Sequence, residues 1–167
     1  MFQVGERVVY GIHGVCNIIS LEMQKVDGKE VVYLVLEPSA QPGSRYLVPC
    51  HNPAAMAKLT KMLTREEMEC LICSDAVRKN CWIQDEGDRK QVYRELISSG
   101  NREKIMSMVH TLYLHKAEQT AAGRKIHMCD DNFLRDAEKR LISEICAVME
   151  MDADTAKQFL RTRLKKA

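Results

Sequence analysis

The spacing of apolar residues changes character once along the chain. Up to about residue 62 the apolar positions fall in short, β-branched runs broken by turn formers. Arg7-Val8-Val9-Tyr10 is the first run, closed by His13-Gly14. Residues 15–22 follow, with Val15, Ile18, Ile19 and Leu21 as the apolar members. Asp27-Gly28 is a hairpin signal, because a two-residue hairpin turn asks for positive φ and these residues tolerate it. The return strand is expected over 30–36, a fourth over 45–48 stopped by Pro49, and a fifth over 57–62. Short strands following one another this closely, with little helix between them, predict a small barrel of SH3- or Tudor-like layout with an edge strand open for pairing.

From Thr64 onward the period becomes helical. Thr64-Arg65-Glu66-Glu67 fits a capping box, with Thr64 as N-cap and Glu67 reaching back. Met68, Leu71 and Ile72 begin the stripe, and Val92, Tyr93, Leu96 and Ile97 continue it after an interruption. Gly100 reads as a stop and Asn101 as the next cap. Ile105, Met108, Val109 and Leu112 mark a third helix, broken at Gly123. A fourth, capped by Asp130 or Asp131, carries Leu134, Ala137, Leu141, Ile145 and Val148. A last one, capped by Asp152 or Asp154, ends in the basic Arg161 to Lys166, which reads as a frayed terminus. The expected fold is α+β with the two parts segregated. Residues 1–62 form the small β-barrel, and 63–167 an all-α domain of about five helices.

The interruption holds the feature that stands out. Trp82 is the only tryptophan, and it lies among Asn80, Cys81, Gln84, Asp85, Glu86 and Gly87 rather than in an apolar run. An indole in such surroundings is either a lid on the core or a tool for contacting a partner. Arg89 and Lys90 follow in the first turn of the next helix, and Lys90 and Arg94, four apart, share one flank of it. Charged residues make up 29% of the chain yet leave a net charge of only +2, so any nucleic-acid binding has to come from a local basic face.

These pieces, taken in order, resemble the CarD/CdnL family of bacterial transcription regulators. Val4-Gly5-Glu6-Arg7-Val8-Val9-Tyr10, His13-Gly14-Val15, Tyr33-Leu34-Val35-Leu36 and Val48-Pro49 are similar to its N-terminal domain, which is shared with the transcription-repair coupling factor. Trp82, Arg89, Tyr93, Ser99-Gly100-Asn101, Leu112-Tyr113 and Phe133-Leu134-Arg135-Asp136-Ala137-Glu138 are similar to its helical domain. The resemblance implies a Tudor-like domain docked on the β subunit of RNA polymerase, and a helical domain touching promoter DNA at the upstream edge of the melted region without reading sequence. There the family tryptophan, at the position of Trp82, wedges into the minor groove and favours the open complex. Unstacking a base step in intact duplex costs a few kcal/mol, and at a bubble fork part of that cost is already met.

Under this resemblance the DNA-facing candidates are Trp82, Arg89, Lys90, Arg94, Arg124 and Lys125, and the polymerase-facing ones are Lys25, Arg45 and Leu47. Two departures shape those sets. Leu47 stands before Val48-Pro49 where the family often has a basic residue, and Arg45, two residues earlier on the same strand face, is the substitute. Asp131 and Asn132 stand where basic residues are common near the start of the fourth helix, and Arg124 and Lys125 precede them. The basic residues act on phosphates and set register, while recruitment by polymerase supplies effective concentration.

Two other readings compete with an open-complex factor. One is a polymerase-bound adaptor whose helical domain meets another protein. The other is a metal or redox sensor acting through the seven cysteines, of which Cys70 and Cys73 form a CxxC placed mid-helix, with no second pair downstream at zinc spacing. Cys81 and His51 are conceivable further ligands. His110 and His115, five apart, do not share a metal-binding face, and no phosphate loop, nucleophile elbow or His-Glu-x-x-His motif occurs. The expectation is a non-enzymatic, cofactor-free cytoplasmic monomer with no membrane contact: no stretch approaches a membrane span, and the N-terminal residues lack a basic region followed by an apolar run.

Overall fold

The Asp27-Gly28 turn sets the geometry of the first part of the chain. Both residues take positive φ, 49° and 78°, which matches the right-handed twist of the strands they join. The computed structural model describes residues 2–165. Strand β1 (Arg7–Tyr10) leads through a short 3-10 turn into β2 (Val15–Val26), which the hairpin turn joins to β3 (Lys29–Pro38). Both strands of the hairpin are longer than the apolar pattern indicates, because the register Lys25↔Glu30 and Val26↔Lys29 carries pairing through polar residues to the tip. Strand β4 (Tyr46–Pro49), the single-turn helix α1 (Pro53–Met56) and β5 (Leu59–Lys61) complete the unit.

The five strands form one antiparallel sheet in the order β4-β3-β2-β1-β5. One cluster gathers buried residues from every strand: Val8, Cys16 and Ile18, Leu34 and Leu36, Val48, and Leu59. A flat sheet cannot bring its two outermost strands onto a common core, so the sheet is curled into the half-open barrel the strand pattern suggests. A bulge between Ile18 and Ser20 contributes to that curl. Strands β4 and β5 are its edges.

The chain divides between Met62 and Leu63. The second unit begins where the sequence places it: Thr64 accepts from the Glu67 N–H at 3.2 Å, and the Glu67 carboxylate accepts from the Thr64 N–H at 2.8 Å. Among the described residues six helices follow: α2 (Arg65–Ile72), α3 (Asp75–Arg78), α4 (Glu86–Ser99), α5 (Arg102–Ala121), α6 (Met128–Met149) and α7 (Ala153–Lys165). The single turn α3, capped by Ser74, is too short to carry a period and is absent from the sequence pattern. Asn101 caps α5 as expected, and Gly100 ends α4 in the left-handed region.

Two expectations change. The terminus from Arg161 is not frayed: it continues α7, with Leu160 and Leu164 fully buried and Arg161 paired to Glu138 at 3.1 Å. Each such leucine contributes roughly 1.5–3 kcal/mol of burial, enough to hold a last helical turn. Lys166 lies outside the described residues. Asp130 and Asp131 do not cap α6, which starts at Met128 and receives no side-chain cap from His127. Asp130 is instead buried inside the first turn.

Helix α5 is the axis of the domain. Its residues from Ile105 through Tyr113 are all buried, so other helices cover it on every side. That run includes Ser107, His110 and Thr111. Buried polar side chains need partners, and where these find them determines how the Trp82 segment is held.

Candidate nucleic-acid interface

His110 Nδ1 lies 2.6 Å from the Leu164 carbonyl oxygen and so serves α7. Ser107 and Thr111 serve the segment between α3 and α4. Ser107 Oγ donates to the Lys79 carbonyl at 2.9 Å, and Thr111 Oγ1 accepts from the Cys81 N–H at 3.0 Å. The Cys81 thiol packs into the same corner, 3.3 Å from Thr111 Oγ1. One turn further along α5, the His115 ring stacks on Trp82, with centroids 3.7 Å apart and planes 19° from parallel. Residues 107, 111 and 115 are four apart, so they form one stripe along α5. A segment without regular structure, 79–85, is thereby pinned at three successive helical turns.

Arg89 closes the site from the other side. Its Nε and Nη2 donate to the two carboxylate oxygens of Asp130 at 2.9 and 3.1 Å, and its Nη1 donates to the carbonyls of Ile83 and Gln84 at 2.8 and 3.2 Å. The guanidinium carbon lies 4.3 Å from the Trp82 ring centroid. The Arg89 and Asp130 side chains are only 4% and 1% exposed. The expectation that Arg89 meets phosphate therefore fails on burial: its three nitrogens all act inside the protein. Its role is to fasten the Trp82 segment to α6 and to lie against the indole, a cation–π contact strengthened by the desolvated surroundings. The hydrogen bonds with Asp130 hold the Arg89 pKa above its ordinary value.

His115 behaves in the opposite way. Burial lowers its pKa from the ordinary 6.5, against the attraction of Asp130 and Glu118 and with the repulsion of Arg89 and His127 added. The neutral imidazole is thus the favoured form near neutral pH, an aromatic surface rather than a cation beside the indole. Trp82 itself is half-buried, packed on the helical core while part of it borders an open cleft. The indole is thus both a lid on the core and a surface facing outward.

The other sequence candidates separate. Lys90 is held by Glu86 across one helical turn, at 2.5 Å. Arg94 is exposed on α4. Arg124 and Lys125 are exposed in the loop after α5, where the Arg124 N–H donates to the Gln119 carbonyl at 2.8 Å. Asp131, whose place was expected to leave the fourth helix poor in cations, gathers Lys116 and Arg135 at 2.7 and 3.1 Å.

On the sheet, Arg45 lies 3.8 Å from Glu22, and Leu47 is 43% exposed on the edge strand. The pairs Glu22↔Tyr33, Tyr33↔Pro49 and Val35↔Leu47 put Leu47 on the Glu22 face. Lys25, an odd number of residues from Glu22, points to the other face. The three polymerase-facing candidates therefore do not share one surface.

Sequence reasoning missed Ser107, Thr111, His115 and the part played by Asp130. A signal was present: Ser107, Thr111 and His115 stand at i, i+4 and i+8 in a run, 105–115, whose other residues are apolar except His110. Cys70 and Cys73 are both exposed, and among the described residues no group of three or more His, Cys, Asp and Glu is placed to hold a metal ion. Among those residues no helix is long and apolar enough to cross a membrane.

Residues 2–60 match the family model described as the CarD-like/TRCF RID domain. The match spans β1 to β5 almost to its end and stops before the helical domain. No curated protein matches the chain.

Proposed function

The N-terminal domain belongs to the CarD-like/TRCF RID family, and from this premise we propose that the protein is a non-enzymatic regulator of transcription initiation. Its barrel docks on the β subunit of RNA polymerase, and its helical domain carries Trp82 to promoter DNA at the upstream edge of the bubble. The edge strand β4, with exposed Leu47 and neighbouring Arg45, is the docking surface on the barrel.

The observation that supports the DNA half is the mounting of Trp82. An apolar wedge favours a melted fork only if it keeps its shape while the bases move. Trp82 is stacked on His115, overlaid by Arg89, and borne on a segment hydrogen-bonded to Thr111 of α5 and to Arg89 of α4. Its ordering is complete before DNA arrives, so contact costs little further side-chain entropy. Exposed Arg94, Arg124 and Lys125 meet phosphates and hold the duplex without reading its sequence. With a net charge of only +2, affinity for free DNA is low and polymerase supplies the local concentration.

Capture of the β subunit by the immobilised full-length protein tests the docking half. Leu47→Asp weakens capture at least about tenfold, while Arg94→Ala leaves it unchanged. A protein that fails to retain the β subunit, or a Leu47→Asp variant that binds as the parent does, sinks this half.

A further inference from the structure

The hydroxyl of Tyr93 is the one loose end in the mounting of Trp82. Its side chain comes from α4 and is fully buried, and its ring meets Phe133 edge-on at 5.7 Å, which fixes where the hydroxyl sits. Among the described residues that hydroxyl has no hydrogen-bond partner. A buried O–H left unmatched costs about 1–3 kcal/mol and calls for a reason. Burial pushes the phenol pKa up, the negative charges that Cys81 and Asp130 can carry push it further, and Arg89 pulls it back, so these three groups are its polar neighbours. Asp130 and Arg89 are committed to each other through two hydrogen bonds. Cys81 remains.

Cys81 is half-buried, and the hydroxyls around its sulfur have divided roles. Ser107 Oγ, 3.7 Å away, gives its proton to the Lys79 carbonyl and can only accept from the thiol. Thr111 Oγ1, 3.3 Å away, already accepts from the Cys81 N–H and keeps its own proton for the sulfur. Thr111 also lines the open cleft of about 640 Å3 beside Trp82, so small solutes reach this corner from solvent. The sulfur therefore has a donor beside it, an unmatched tyrosine donor among its neighbours, and an opening to solvent. One further oxygen atom, carried on the sulfur, accepts from both hydroxyls.

We infer that Cys81 is a site of reversible oxidation by peroxides, its sulfenic acid held by the Tyr93 and Thr111 hydroxyls. In that step the thiolate attacks one oxygen of hydrogen peroxide or an organic hydroperoxide, and the O–O bond breaks. Sulfur is oxidised by two electrons and keeps one oxygen as S–OH. The other oxygen takes up the proton that the thiol gave and leaves as water or an alcohol. Small-molecule thiols reverse it: one displaces water to form a mixed disulfide, and a second releases the Cys81 thiol as the small disulfide departs. Cys81 precedes Trp82, and its N–H anchors the segment on Thr111. An oxygen on the sulfur draws the Thr111 hydroxyl to itself and loosens the stack of Trp82 on His115. Oxidation thus weakens the wedge; this consequence rests on the DNA-contacting reading of the helical domain, and the modification itself does not.

The test treats full-length protein with hydrogen peroxide, traps sulfenic acid with dimedone and maps the adducts by peptide mass. Cys81 carries an adduct in the parent. Tyr93→Phe keeps the ring and removes only the unmatched hydroxyl, and it loses several-fold of the Cys81 adduct while the exposed Cys70 and Cys73 label as before. No adduct at Cys81 under conditions that label Cys70 and Cys73, or equal Cys81 labelling in Tyr93→Phe, overturns the inference. Peroxide is then removed and open-complex lifetime is read with RNA polymerase and a promoter, each protein against its own untreated sample. The treated parent loses several-fold of the extension and dithiothreitol restores it, whereas Cys81→Ala is unaffected by treatment. A peroxide effect that persists in Cys81→Ala overturns the link to Trp82. Absence of any lifetime defect in Trp82→Ala removes the wedge reading, and the Tyr93-dependent adduct at Cys81 still stands or falls by the mass measurement.

Discussion

The rings of Trp82 and His115 lie 3.7 Å apart and within 19° of parallel. This contact ties the one tryptophan of the chain to the stripe of polar residues that α5 turns toward the 79–85 segment. It also gives the molecule an internal reporter, because any change at His115 is seen by a single indole.

Titration of His115 is the first consequence. Burial lowers its pKa below 6.5, so the unfolded chain takes up the proton first as pH falls. The unfolded state then binds more protons, and the stabilising contribution, complete above the ordinary value, is lost as pH drops below 6.5. Trp82 fluorescence in the folded protein should shift with a midpoint under 6.5, and His115→Gln should abolish that transition. The groups facing the ring, Glu118, Asp130, Arg89 and His127, are unchanged in the variant. A midpoint above 6.5 would show a charged imidazole stabilised on the indole instead.

The Arg89–Asp130 pair should behave as a clamp. Asp130→Ala leaves a guanidinium buried without its carboxylate, at a cost of about 3–5 kcal/mol by chemical denaturation. Arg89→Lys should also lose stability, since an ammonium cannot serve a carboxylate and two carbonyls in the same plane. The double variant Arg89→Met with Asp130→Leu should lose less than Asp130→Ala alone, because no buried charge is left unpaired. Equal stability of parent and Asp130→Ala would contradict the clamp.

Thr111→Val keeps the shape of the side chain but removes the acceptor for the Cys81 N–H. A part-buried donor left without a partner costs about 1 kcal/mol, the low end of the range for a buried one. The same variant should reduce the effect on open-complex lifetime, though no atom of Thr111 need touch DNA. Melting temperature and lifetime, measured together, check both parts. Unaltered lifetime in a destabilised variant would show that the segment does not need this anchor.

Arg124 and Lys125 should act through phosphate. Replacing both with Ala should lower the salt slope of DNA-dependent binding by roughly one for each phosphate no longer neutralised, with equal weakening on different promoter sequences. Sequence-dependent weakening would assign them to base contacts.

Much of the fold was legible because local signals agreed with global ones. The Asp27-Gly28 turn, the Thr64/Glu67 capping box, the Asn101 cap and the Gly100 stop each need only a few neighbouring residues to be understood. The site was legible at Trp82 and not around it. Arg89 read as a surface cation because a single position on a helix does not announce that a carboxylate 41 residues away will bury it. Asp130 read as a cap for the same reason. Both errors concern long-range pairing, which periodicity does not encode. The spacing of His115 from His110 speaks only to metal binding, whereas its partner is an aromatic ring on another segment. Lys25 fell away from Leu47 because register decides strand faces, and register was visible only once the hairpin was paired.

The most direct test of the central claim is the lifetime of promoter open complexes with wild-type protein and with Trp82→Ala, together with retention of each protein on polymerase. Removing the wedge should shorten the extended lifetime about tenfold, equivalent to roughly 1.4 kcal/mol of contact made only in the melted state, with retention unchanged. A Trp82→Ala protein that stays on polymerase and extends the lifetime as fully as the parent would contradict the account.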